Sequence, residues 1–186
     1  MTADEPSSRP RYSNTSLPPY SYVPGHAPHP VSDPHGHMHG QSHAAPPELR
    51  PVAWEQSEAY RYGVDLFNHG YYWEAHESWE SLWHAAGRRG SVALFLKALI
   101  KLAAAAVKVR EGNSTGAMRH ARRSIELLTE LKADLRHHEM AEHLLYCGVD
   151  LQRVKAIAED IASEAVTGLA TPQPNRLLGH WLRLKI

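Results

Sequence analysis

The sequence predicts an all-α protein: a single bundle of about five helices, made of helix-turn-helix hairpins and preceded by an extended Pro/His-rich N-terminal segment. Residues 1–51 hold 11 of the 13 prolines and 6 of the 14 histidines. From Val52 onward Ala, Leu, Glu and Arg dominate, which is the composition of helices, and no stretch keeps the alternation of a strand. We therefore divide the chain into this N-terminal segment (1–51), a helical domain (52–170) and a C-terminal tail (171–186).

The N-terminal segment has too few large apolar residues to form a core of its own, and its prolines oppose helices and central strands. We expect it to be extended or disordered, with parts that lie along the helical domain. The side chains that could dock it are Tyr12, Leu17, Tyr20, Tyr22 and Val23. Those that could dock the C-terminal tail are Leu177, Leu178, Trp181, Leu182 and Leu184.

Five helices are predicted from apolar periodicity and from the residues that end them. Glycine follows each of the first three and favours a helix end. The helices are expected over 53–69, 72–86, 92–111, 114–135 and 140–168, the last either continuous or broken near Gly148 with Asp150 as a new N-cap. The hairpins that begin at Gly70 and Gly112 are alike, but two such units are too few for an open solenoid, so a closed bundle is expected.

Composition excludes several classes of protein. The formal net charge is zero, so no overall field favours nucleic acid. The longest apolar run, 92–109, contains three lysines, which argues against a membrane span. A single cysteine, Cys147, allows no internal disulfide. The first residues show no basic stretch followed by an apolar one, so we expect no signal peptide and a cytoplasmic protein.

The densest group of chemically versatile residues lies on the second predicted helix. At 100° per residue, its two histidines and two glutamates fall within an arc of about 100°. These residues are His76, Glu77, Glu80 and His84. Burying carboxylates and imidazoles without a partner costs free energy, so these side chains should be paired, hydrogen-bonded or bound to a metal.

Three interpretations of this ridge remain open. The order His76-Glu77-x-x-Glu80 has the spacing of a zinc-binding H-E-x-x-H helix, with Glu in place of the second His. Alternatively, Glu77 and Glu80, or Glu74 and Glu77, could act as a catalytic carboxylate pair. In the third interpretation the residues are structural, and the glutamates pair with Lys97 and Lys101 of the third helix.

The same region carries a resemblance to a known family. The run Phe67-x-x-Gly70-x-Tyr-Trp-Glu74-Ala-His-Glu-x-Trp-Glu80-x-Leu-Trp83 resembles the signature of the domain-of-unknown-function family numbered 309, small all-helical prokaryotic proteins. The resemblance implies a compact helical bundle and no established reaction, substrate or cofactor. Members typically have Gln where this chain has Lys97 and Lys101, so these lysines could form ion pairs with the ridge or bind an anion.

The N-terminal segment offers a second candidate metal site. The run His35-Gly-His37-Met-His39 alternates imidazoles on an extended backbone, and imidazole suits zinc, nickel and copper. The alternative is a solvated, low-complexity tail. A further hypothesis joins both features: the segment folds back and brings its histidines beside His76 and Glu80.

Three functions follow, and the sequence favours a non-enzymatic role. The first is a helical interaction or scaffold module with a protein partner or a second copy of the chain. The second is a metal-binding protein with a divalent ion held by the ridge, helped by the histidines of the segment. The third is a small hydrolase-like or anion-binding site with Glu77 as base and Lys97 and Lys101 as anion ligands.

Overall fold

Five α-helices make up most of the structure, a computed structural model that describes residues 9–42, 44–137, 145–167 and 171–185. They are α1 (Glu58–Asn68), α2 (Tyr72–Ala85), α3 (Gly90–Arg110), α4 (Ser114–His137) and α5 (Leu151–Thr167). A 3-10 helix (Pro51–Gln56) precedes α1, and two-residue strands, β1 (Leu145–Tyr146) and β2 (Val149–Asp150), precede α5. The predicted all-α fold class is confirmed.

Helix α3 forms the centre of the bundle, since it packs against α2, α4 and α5. Five of its six alanines are almost fully buried, and their small side chains let α4 approach closely. Ser124 of α4 donates a hydrogen bond to the carbonyl of Ala98 across this contact, at 2.8 Å. Among the described residues, none of the helices combines the length and apolar character needed to cross a membrane.

The predicted glycine turns join the helices. Gly70 has φ +87° and Gly112 has φ +70°, a left-handed conformation that glycine adopts without steric cost. After Gly112, the side chain of Asn113 accepts a hydrogen bond from the Gly116 amide at 2.8 Å and so caps the start of α4. Gly112 and Asn113 therefore determine where the chain reverses its direction between α3 and α4.

The first helix starts later than the predicted Ala53. Ala53 has φ −144° and ψ 34°, which lie outside the helical range. The Ser57 side chain accepts a hydrogen bond from the Tyr60 amide at 3.3 Å and acts as the N-cap of α1. A serine cap supplies an acceptor for the free amides of the first turn, which explains why the α-helix begins here.

The predicted fifth helix is helical only from Leu151 onward, and its prediction over residues 145–150 was wrong, since these residues form the hairpin of β1 and β2. Cys147 (φ +48°) and Gly148 (φ +74°) form a tight turn between β1 and β2. The Asp150 side chain then accepts from the Gln152 amide at 2.8 Å, which confirms its predicted capping role. The first part of this predicted helix, residues 140–144, lies outside the described residues.

Both terminal segments lie against the helices. Within 9–42, Val23 is 1% exposed and Tyr12 and Leu17 pack against the core. In the C-terminal segment, four of the five predicted docking side chains are buried: Leu178, Trp181, Leu182 and Leu184. The two segments meet near the turn between α1 and α2, and this placement builds the site described next.

Candidate functional site

The ridge of α2 brings three of its four predicted residues together. The ligand-capable atoms of His76, Glu77 and Glu80 lie within 4.8 Å of one another, and all three residues are half-buried. Nδ1 of His76 is 3.1 Å from Oε1 of Glu77. Among the described residues this is the only such group of three or more. One turn of a single helix thus offers one imidazole and two carboxylates to a cation, with the remaining positions open.

His84, the fourth residue of the ridge, lies apart from this cluster. It is exposed, and its Nδ1 accepts from Arg88, with Nε at 2.9 Å and Nη2 at 2.7 Å. A nitrogen that accepts from a guanidinium is not free to bind a cation. His84 lies two turns from His76 on the same face of α2, and what the sequence did not predict is its contact with Arg88.

Lys97 and Lys101 of α3, predicted to pair with the glutamates of α2, have other neighbours. Lys97 lies over the ring of Trp83, with Nζ 5.5 Å from the ring centroid. Burial is the main cause that lowers the pKa of His120 to about 4. The charge of Lys101 lowers this pKa as well. Among the described residues, neither lysine forms an ion pair with a glutamate of α2. The structure therefore gives no contact for the predicted ion pairs.

Those histidines of the N-terminal segment that lie within residues 9–42 do not gather into one group. His35 pairs with Asp33 at 3.3 Å, and Nδ1 of His39 lies 3.0 Å from the carbonyl of Val31. His37 turns inward instead, with only 9% of its side chain exposed, and its Nε2 lies 3.8 Å from Oε1 of Glu74. The segment does fold back onto α2, but the residue it reaches in this contact is Glu74, not His76 or Glu80.

Asp65, a residue that the sequence analysis did not single out, anchors the segment. It lies in α1, is fully buried and accepts four hydrogen bonds from residues 11–13. The Tyr12 amide donates to Oδ1 at 2.8 Å. Oδ2 accepts from Arg11 Nε at 3.0 Å, the Ser13 amide at 2.8 Å and the Ser13 hydroxyl at 2.6 Å. These bonds satisfy a buried carboxylate, which would otherwise be costly.

The segment makes a second set of contacts at the start of α2. The Tyr22 amide donates to Oε1 of Glu74 at 2.8 Å, and the Ser21 hydroxyl donates to the Gly70 carbonyl at 2.8 Å. The rings of Tyr22 and His29 each lie 5.3 Å from the ring of Trp73, edge to face. The backbone of the segment thus binds the carboxylates of Asp65 and Glu74, among others, and its rings pack on Trp73.

Arg9 links the two terminal segments at the turn between α1 and α2. Its guanidinium donates to the carbonyls of Asn68 at 2.5 Å and Leu178 at 2.9 Å, and it lies 5.0 Å from the centroid of the Trp181 ring. The Asn68 side chain in turn exchanges two hydrogen bonds with the backbone of Leu182, both at 2.8 Å. Two side chains of α1 therefore form hydrogen bonds with the backbone of the segments, Asp65 with the N-terminal one and Asn68 with the C-terminal one.

Glu74 has the most unusual acid-base environment of these groups. It is 4% exposed, and its Oε2 is buried with no hydrogen-bond partner. Burial raises the pKa of Glu74 from 4.5 to about 7, although the Tyr22 amide and the charge of Arg110 act in the opposite direction. A carboxyl with this pKa changes its charge near neutral pH.

Arg110, at the end of α3, lies on the other side of the Gly70 turn. It is 4% exposed, and burial lowers its pKa. Its Nε donates to the Arg176 carbonyl at 2.7 Å, its Nη1 to the Ser21 hydroxyl at 2.8 Å, and the guanidinium lies 4.6 Å from the Tyr72 ring centroid. A side chain at Gly70 would collide with Nη2, which explains the glycine at this turn.

Sequence reasoning missed Asp65 and Arg110, and it named Glu74 only as a possible partner of Glu77, because each looks ordinary in its local context. Asp65 carried a usable signal, since it lies within an otherwise apolar turn, Val64-Asp65-Leu66-Phe67. A charged residue at such a position must have a buried partner. Glu74 and Arg110 carried no such signal, because they are buried by segments far away in the sequence.

Comparison with known proteins finds a similarity within the helical part of the chain. No curated protein matches it. Residues 60–120, about a third of the chain, match the model of the family described as a domain of unknown function (DUF309). The match includes most of α1, all of α2 and α3 and the first turns of α4, with the cluster of α2. The resemblance predicted from the sequence is therefore confirmed: over residues 60–120 this all-helical protein is similar to the DUF309 family.

Proposed function

We propose that this protein is a non-enzymatic interaction module that binds an extended peptide segment across α1 and the start of α2. Its own residues 9–42 occupy this surface as an intramolecular ligand. The observation that carries the proposal is Asp65, a fully buried carboxylate of α1 whose four hydrogen bonds all come from the segment. A carboxylate at this position has a role only when a peptide backbone is present to donate to it.

The remaining contacts support recognition of backbone more than of side chains. Glu58 accepts from the Asn14 amide at 2.9 Å, and Glu74 accepts from the Tyr22 amide at 2.8 Å. Residues 11–22 of the segment are extended and make no backbone–backbone hydrogen bonds, so their amides are free for such contacts. The acidic groups of the helices also complement Arg11 of the segment, which donates to Asp65 at 3.0 Å.

Cleavage of the connection tests whether the segment is a ligand. A protease site can be placed at the exposed residues 44–45, so that the N-terminal fragment becomes separate after folding. We expect the cleaved fragment to remain bound, to exchange with a labelled synthetic peptide of residues 9–42, and to leave the helical circular dichroism unchanged. The matched variant Asp65→Ala should weaken this binding, while Glu126→Gln, at an exposed position of α4, should not.

Two results would contradict the proposal. If dilution of the cleaved protein unfolds the helices, the segment is a structural part of the domain and not a ligand. If Asp65→Ala and Glu126→Gln give the same affinity for the labelled peptide, the buried carboxylate does not recognise the segment.

We propose divalent metal binding at His76, Glu77 and Glu80 as a second candidate function. The close approach of their ligand atoms, within 4.8 Å, favours it. One imidazole and two carboxylates suit zinc, nickel or copper, with water in the open positions. Calorimetric titration of the untagged chain with each metal should give one site that His76→Ala abolishes.

Two control variants separate this site from other histidines. His84→Ala should leave the affinity unchanged, because His84 is bound to Arg88 outside the cluster. A double substitution of His35 and His39 should also leave it unchanged, and a loss of binding there would assign the metal to the segment. No contact of the described residues favours a hydrolase-like site with Glu77, Lys97 and Lys101, and we do not propose one.

A further inference from the structure

A cavity of about 410 Å³ lies where the N-terminal segment, the α1–α2 turn, the end of α3 and the C-terminal segment meet. This volume is in the range of small-molecule sites. Its wall includes the rings of Tyr20 and Tyr71 and the apolar side chains of Val23 and Leu177. The same cavity is lined by Arg110, so a chamber with both polar and apolar walls contains a cationic group.

The charge of Arg110 has no ionic partner in the part of the chain that the structure describes. Its hydrogen bonds go to a backbone carbonyl, of Arg176, and to a hydroxyl, of Ser21, both of which are neutral. No carboxylate among the described residues forms an ion pair with it. Glu74 attracts the Arg110 charge only from beyond ion-pair distance. A guanidinium that is 4% exposed and has no carboxylate in direct contact is costly, and an anion beside it would recover much of that cost.

Two histidines add polar atoms to the same wall. Nε2 of His69 is buried without a hydrogen-bond partner, and His26 is exposed at the margin. Burial lowers the pKa of His69, so its ring is neutral near pH 7 and can still donate one hydrogen bond. A buried nitrogen without a hydrogen-bond partner and a guanidinium without an ion pair thus line one cavity, the pattern expected of a site that can accept an anion.

We propose that this cavity binds a small organic anion, a carboxylate or a phosphate monoester with an apolar or aromatic body, whose charged head contacts Arg110. The planar guanidinium suits both heads, because each presents two oxygens at the spacing of its donors. The tyrosine, valine and leucine side chains of the wall would cover the body of the ligand. The proposal does not depend on whether the N-terminal segment can be exchanged, since the cavity is formed in the intact chain.

Titration of the intact chain with a matched set of probes tests this site. Benzoate and phenyl phosphate carry the two heads on one aromatic body, and benzamide is the neutral control of the same shape. We expect saturable binding of at least one anion, seen by calorimetry and as a shift of the Arg110 side-chain Nε–H resonance. The anion that binds more tightly identifies the head group, and benzamide should bind about tenfold to a hundredfold more weakly, as expected when a charge-assisted hydrogen bond is lost.

Two variants address the position of the site. Ala27→Trp fills the cavity from the half-buried margin of the segment and should weaken binding of the anion about tenfold or more, while Ala44→Trp, at an exposed position, should not. Arg110→Lys keeps the charge without the planar fork and should weaken binding by a similar factor. The proposal is overturned if neither anion binds, if benzamide binds as tightly, or if Ala27→Trp leaves the affinity unchanged.

Discussion

Replacing Glu74 by glutamine should stabilise the protein at pH 8 and leave its stability nearly unchanged at pH 4. The reason lies in the burial of Glu74 beneath the N-terminal segment, where one oxygen accepts from the Tyr22 amide and the other has no partner. Glutamine keeps an oxygen for the Tyr22 amide but never acquires the charge that burial disfavours.

The magnitude follows from the pKa of Glu74, which burial raises from 4.5 to about 7. The folded protein therefore holds a proton that the unfolded chain releases at lower pH. Because the folded pKa is the higher one, the stabilisation is complete below pH 4.5 and is lost as the pH rises through 7. A shift of about 2.5 units at about 1.4 kcal/mol per unit gives a loss of about 3 kcal/mol in the wild type, which Glu74→Gln should escape.

Urea unfolding of both proteins between pH 4 and pH 8.5 measures this difference. The quantity to plot is the free energy of unfolding of Glu74→Gln minus that of the wild type, since other titrating groups cancel in it. It should rise from near zero at pH 4 to about 3 kcal/mol at pH 8. Glu48→Gln, at an exposed position, is the matched control and should give a flat line near zero.

A flat difference for Glu74→Gln would refute the reasoning, because it would mean that the carboxyl titrates alike in the folded and unfolded chains. A difference that falls with pH would refute it as well, since it would require that the folded state favour the charged carboxylate. That second result would point to closer contact with Arg110 or His37 than the structure has.

Three further substitutions or reactions test other parts of the structure. Gly63→Ala should destabilise the protein by about 1–3 kcal/mol in urea unfolding, because the added Cβ would overlap the indole of Trp79. Asp65→Ala should cost on the order of 3 kcal/mol and remove the hydrogen-exchange protection of the Ser13 amide, which donates to it at 2.8 Å. Cys147 should react with a thiol reagent far more slowly in the folded than in the unfolded protein, because burial raises the pKa of its thiol.

Each of these has an outcome that would count against it. Gly179→Ala, where nothing lies within 4 Å of the added Cβ, should be nearly neutral, and equal effects at both glycines would remove the packing argument. Unchanged protection of the Ser13 amide in Asp65→Ala would show that the carboxylate does not hold the segment. A native Cys147 that reacts as fast as a free thiol would show that its burial is incomplete.

The helices could be predicted from the sequence because their determinants are local. Glycine at 70 and 112 and the cap at Asn113 act within one turn, so periodicity and end signals located them well. The start of α1 and the hairpin before α5 were harder. Both depend on short irregular geometry, a 3-10 turn and the positive φ of Cys147, that an apolar pattern does not report.

The residues of the candidate site also fall into two groups, those whose placement has local determinants and those whose placement depends on distant segments. His76, Glu77 and Glu80 share one helical face, so their approach follows from helix geometry alone. Glu74 lies two residues before His76, and nothing local distinguishes it. It becomes unusual only because Tyr22, 52 residues earlier, covers it. This burial depends on the path that the N-terminal segment takes over the helices, and that path cannot be predicted from a single sequence.

The cavity at Arg110 and the carboxyl of Glu74 should be linked through charge. Arg110 is one of the groups that lower the pKa of Glu74, so an anion that neutralises Arg110 should raise that pKa further. Near pH 7 the carboxyl would then take up a fraction of a proton when the anion binds. Calorimetry of benzoate binding in buffers of different ionisation enthalpy measures this uptake, and Glu74→Gln is the control that should abolish it. Binding of the anion with equal proton uptake in both proteins would show that the two groups do not sense each other.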